Sequence, residues 1–129
     1  MAIPGMDERA NTVEYFVHHE DIRRARPGWE PRELSGGQAD ALWRGLRVAR
    51  LLFRKSPVGV ELARDDKDPD RGKGDTFRIT AKKATPVVTV IGAPAELTLW
   101  ALGRTTVAKV RFDGTRAAVS RLASMNRQL

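Results

Sequence analysis

The segment "NTVEYFVHHEDIRR", residues 11–24, carries Glu14, His18, His19, Glu20 and Asp21 within eight positions, and the chain has no other histidine. Carboxylates and imidazoles ligate divalent metals and move protons, so their spacing decides which chemistry is open. On a helical wheel Glu14, His18 and Asp21 share one stripe, while His19 points about 100° away from His18. Glu and His at i and i+4 can present two ligands to one metal, with Asp21 available to accept from an imidazole N–H and orient the ring. The same spacing also describes an ordinary surface pair worth a few tenths of a kcal/mol.

The neighbours sharpen the choice. Ala10, Val13 and Val17 flank the stripe on one side and Tyr15 and Ile22 on the other. That pattern sets Glu14 and His18 in the apolar half and leaves Thr12, Phe16, His19, Glu20 and Arg23 on the solvated arc. A catalytic zinc site takes three protein ligands, and this segment offers two, so a full site needs a ligand from another chain.

The elements that must carry these residues follow from local signals. Asp7 can cap a helix reaching about Arg26, where Pro27 stops it. Ser35 and Gln38 form a capping box for a second helix of about 20 residues, running to Lys55 and ended by Pro57. Its Leu42, Leu46, Ala49 and Phe53 form one stripe, and Arg44, Arg47, Arg50 and Arg54 form a basic one. After Pro57 the period changes to two. "VGVELA" and "TFRITA" alternate as half-buried strands, "VVTVI" (87–91) reads as a central strand, and "KVRFD" as a fourth with Val110 and Phe112 inward. A short helix "AELTLWAL" lies between Pro94 and Gly103, and Thr115 caps a last helix reaching about Arg127. The expected architecture is α+β: a helical hairpin over residues 1–56, then a β-β-β-α-β-α domain over 57–129. Two helices bury too little alone, so the hairpin must pack on the sheet or on another chain.

"NTVEYFVHHEDIRRARPGWEPREL", the helix after it and "VVTVIGAPAELTLWALGR" resemble the actinobacterial family of DinB-like, mycothiol-dependent maleylpyruvate isomerase-like metal-binding proteins. The resemblance implies an amino-terminal four-helix bundle with a smaller α+β domain behind it. Within that bundle one helix gives an early histidine and a later one gives Glu-x-x-x-His, which Glu14 and His18 match. The chain begins where the family reaches its third helix, so the early histidine has no counterpart and the hairpin is half of a bundle. The resemblance implies divalent-metal binding, zinc first, and a metal-activated low-molecular-weight thiol, mycothiol, for isomerase or transferase chemistry. A homodimer of two hairpins would rebuild the bundle and bring two Glu14/His18 pairs into one core.

Composition bounds the alternatives. With 129 residues, 41% apolar and 30% charged, the chain suits a folded protein of one domain or two compact layers. No apolar run approaches the ~20 residues of a membrane span, and the start lacks a signal-peptide pattern, which makes the cytoplasm the expected address. Cysteine is absent, so any thiol chemistry needs a small-molecule thiol. A non-catalytic module that docks itself or a partner through the hairpin is the alternative reading. The net charge of +7 permits nucleic-acid binding, but the basic residues run from Arg9 to Arg127 and no DNA-binding motif accompanies them, which argues against it. Asp66, Asp68 and Asp70 match the first three EF-hand positions, yet Arg71 and Phe77 stand where glycine and the bidentate glutamate belong.

Overall fold

The computed structural model describes residues 7–31, 34–66 and 77–125, with side chains in the first helix from Val13 onward. Helix α1 spans Asp7–Arg24, and the chain then turns through Pro27 and Gly28, whose φ of 79° suits only glycine comfortably. The Asp7 cap lies outside the described side chains. Helix α2, Gly36–Gly45, starts at the expected capping box: Ser35 Oγ accepts from Gln38 N at 3.2 Å, and Gln38 Oε1 accepts from Ser35 N at 3.1 Å.

The long second helix is interrupted. After Gly45 one 3-10 turn covers Leu46–Val48, and helix α3 is only Ala49–Leu52. A Cβ at Gly45 would stand 2.9 Å from Val13 Cγ2, so the close crossing of α1 over α2 requires glycine at this point. Glycine weakens the helix where it is needed for packing, and the backbone tightens just beyond it.

The strands are β1 (Gly59–Arg64), β2 (Arg78–Lys82), β3 (Val87–Gly92) and β4 (Arg111–Asp113). Their order in the sheet is β2-β1-β3-β4, with β1 and β3 parallel and both outer pairs antiparallel. Register sets Val60 beside Val88 and Leu62 beside Val90, which makes one face of the sheet aliphatic. Helix α4, Pro94–Ala101, follows β3, and α5, Arg116–Ala123, follows β4. Thr115 caps α5 by accepting from Ala118 N at 3.2 Å. The last helix is thus shorter than expected at its described end, and residues from 126 lie outside the described part. The mixed α+β class and the element order after Pro57 agree with the sequence reading.

One buried cluster takes members from both sides of Pro57. Trp43, Leu46, Ala49 and Phe53 meet Val60, Leu62, Val88 and Val90 of the sheet, with Leu97 and Trp100 of α4 and Leu122 of α5. Phe53 stacks on Trp100 with ring centroids 5.2 Å apart, and Phe112 meets the same indole edge-on at 6.0 Å. Phe112 nevertheless stays 45% exposed, because β4 is an edge strand of three residues. All eight residues of α4 are buried, since this helix lies between the sheet and the layer formed by α1 and α2. Helices α1 and α2 run in opposite directions, with Val13 level with Gly45 and His19 near Leu34 and Gln38. No described helix is long and apolar enough to cross a membrane.

Candidate functional site

The buried stripe of α1 is Val17, Glu20 and Arg24, with Val13 half-buried beside it. Glu20, expected on the solvated arc, is 0% exposed. The cause lies on α4. Glu96 is the only charged residue between Lys83 and Arg104, and it sits in a helix buried on every side. A carboxylate taken out of water needs a counter-ion, and α1 supplies it. Arg24 donates from its two terminal nitrogens to the two oxygens of Glu96, at 2.6 and 2.7 Å, and also to Val107 O at 2.8 Å. Glu20 accepts from Arg24 at 3.3 Å and from Arg23 at 2.7 and 2.8 Å, while Lys109 N donates to Glu96 at 3.0 Å. The Trp29 ring covers the Arg24 guanidinium at 4.6 Å and Lys109 Nζ at 5.2 Å. Burial works against the Arg24 charge, but the bond to Glu96 and the charges of Glu96 and Glu20 outweigh it and hold its pKa above the ordinary arginine value. This network fixes the rotation of α1 about its own axis.

With that stripe turned inward, Glu14 and His18 face out. Their side chains are 70% and 71% exposed, and His18 Nε2 lies 3.7 Å from Glu14 Oε1, beyond a hydrogen bond but within reach of one shared cation. Tyr15 and Ile22 share the outer face, 81% and 64% exposed. Asp21 stands apart: its oxygens accept from Arg104 at 3.2 and 2.9 Å, and that bond, opposed by partial burial, raises the arginine's pKa. Beside the stripe an open groove of about 390 Å³ runs between α1 and α2, lined by Tyr15, Phe16, His19, Leu34, Ala41 and Leu42. The expected apolar setting of Glu14 and His18 is therefore an exposed one, made by Tyr15 and Ile22.

Among the described residues no group of three or more His, Cys, Asp or Glu could hold a metal. One copy of the chain presents two donors, which fit one edge of a coordination sphere and leave the rest to come from elsewhere. A second polar cluster ties α2 to the end of β1. Arg64 donates to Asp66 at 2.7 and 2.8 Å, pairs with Asp40 at 3.0 Å and lies 5.3 Å from the Trp43 ring centre. The bond to Asp66 raises the Arg64 pKa against the effect of burial. Asp66, the first position of the calcium-like run, is thus engaged by arginine, while Asp68 and Asp70 lie outside the described residues.

The residues missed from sequence are Glu20, Arg24 and Glu96. A signal was present: a single acidic residue inside an otherwise apolar helix announces a buried ion pair. Comparison with family models, curated proteins and solved structures finds no match for the chain.

Proposed function

We propose that this protein is a divalent-metal-binding assembly module that works as a pair. The outer faces of two hairpins dock, and the Glu14 and His18 side chains of both copies together hold one metal, zinc in the first instance. The observation that carries the reading is the outer face of α1, where two ligand-type side chains 3.7 Å apart are flanked by the exposed Tyr15 and Ile22. A solvated pair needs no apolar neighbours, whereas a dimer seam does. Burying Tyr15 and Ile22 would contribute on the order of 2 kcal/mol each before the costs of association. Four donors from two copies match the coordination number of zinc, and two hairpins make the four helices of a bundle.

The resemblance to DinB-like, mycothiol-dependent proteins supports the same metal and adds a small-molecule thiol as its partner; a chain without cysteine is in keeping with a borrowed thiol. The alternative is docking without metal, which the groove beside Tyr15 favours on its own. Zinc titration by calorimetry separates the two. The metal reading expects one zinc per two chains and no binding in His18→Ala. A wild-type protein that binds no zinc in any oligomeric state contradicts it and leaves docking alone.

A further inference from the structure

The positive charge of this chain is segregated. Residues 41–60, 77–95 and 115–129 hold eleven Lys and Arg and no Asp or Glu, while the rest of the chain, with twelve cations against sixteen acids, is net acidic. The fold draws the described parts of these three stretches to one border. Arg50 Nε donates to Thr80 O at 3.3 Å, Lys82 Nζ to Arg54 O at 2.7 Å, and Arg121 to Pro57 O at 3.5 Å. Those bonds join α3 and the segment after it to the free edge of β2 and to α5. Arg47, Arg50, Arg54, Lys83 and Arg121 are exposed there, and Lys82 is half-buried. Among the described residues none of the six makes an ion pair; Arg78 at the start of the same strand pairs with Glu61, and Arg104 and the buried Arg24 and Arg64 are paired elsewhere.

Unscreened like charges on one border repel and disfavour the compact state unless an anion meets them. We infer that this border binds the phosphate backbone of a nucleic-acid duplex. Guanidinium groups match phosphate geometry, and Arg50, Lys82 and Arg121 each spend a donor on a backbone carbonyl that orients them while keeping others for a ligand. A duplex is favoured over a single strand because the exposed large aromatics, Tyr15 and Phe112, sit on α1 and β4, which leaves the border without a stacking platform among the described residues. The contact is to backbone, so binding is independent of sequence and steep in salt. The sequence alone shows the helix arginines; the fold adds Lys82 and Lys83 at the end of β2 and Arg121, and this addition turns a solvated stripe into a surface.

The test is fluorescence anisotropy with zinc-free protein and labelled random-sequence DNA duplex, RNA duplex and single strand, each titrated with salt. The expected result is binding of a duplex at low salt, with each phosphate contact adding about −0.9 to the slope of log K against log salt. Which duplex binds more tightly tells DNA from RNA. The double variant Arg47→Glu/Lys83→Glu, at positions whose side chains make no hydrogen bond or ion pair among the described residues, should weaken binding at least tenfold and reduce the slope by about two. Arg26→Glu/Arg111→Glu, with the same change in net charge elsewhere, should lose far less. No duplex binding at low salt, equal losses in both double variants, tighter binding of the single strand, or capture by phosphatidylserine vesicles without duplex binding would each overturn the inference.

Discussion

Arg24 and Glu96, 72 residues apart, form a two-pronged ion pair that is almost wholly buried, with N···O distances of 2.6 and 2.7 Å. The pair joins the outermost helix to the one beneath it, and so decides which face of α1 meets solvent. Removing one partner leaves the other charged and buried, which typically costs about 3–5 kcal/mol. Glu96→Gln should therefore lower the urea midpoint sharply, and Arg24→Met/Glu96→Leu should recover much of the loss. If Glu96→Gln unfolds like the wild type, the pair does not anchor α1.

The raised pKa of Arg24 carries a sign. A cation whose folded value lies above its unfolded one contributes stability that is fully present below the unfolded value and is lost as pH rises through the folded value. For arginine both lie in strong alkali, so the latch should hold unchanged through the neutral and mildly alkaline range. A variant Arg24→Lys, with one nitrogen in place of the fork, should be destabilised at neutral pH and weaken further as alkali approaches the lysine range, read by thermal unfolding at several pH values.

Gly45 and Val13 make the helix crossing. Gly45→Ala forces a methyl group to 2.9 Å from Val13 Cγ2, and the stiff, β-branched valine cannot turn away. The expected loss is about 1–3 kcal/mol of overpacking, offset by up to about 1 kcal/mol of helix propensity. Adding Val13→Ala should restore part of the loss, which a double-mutant cycle measures. Gly59 is stricter, since a Cβ there would run into the Ala84 carbonyl oxygen; Gly59→Ala should fail to yield folded protein.

These sites show what sequence could and could not reveal. The capping box at Ser35, the alternation around Val60 and Ile79, and the Pro94 to Gly103 bounds of α4 are local signals, and the elements they mark are present. The buried face of α1 is not legible on a helical wheel, which weighs hydrophobicity, whereas Glu20 and Arg24 are buried by a carboxylate on a distant helix. The break after Gly45 has the same origin: what matters is Val13 across the crossing, which no window around residue 45 contains. Glu14 and His18 were legible as a ligand pair by spacing, but their exposure follows from the latch and was not.

Because the Glu14/His18 pair is exposed, it should matter little to the metal-free fold. His18→Ala without zinc should unfold within a few tenths of a kcal/mol of wild type by urea titration. A larger loss would mean that the histidine supports the monomer, which its exposure does not allow.

Sedimentation velocity with and without zinc tests the metal-bridged pair of hairpins most directly. The prediction is that zinc drives the wild-type chain to a dimer, that His18→Ala stays insensitive to zinc, and that Ile22→Glu weakens the dimer by placing charge in its seam. A wild-type protein that remains monomeric at high concentration with zinc in excess would contradict such a pair.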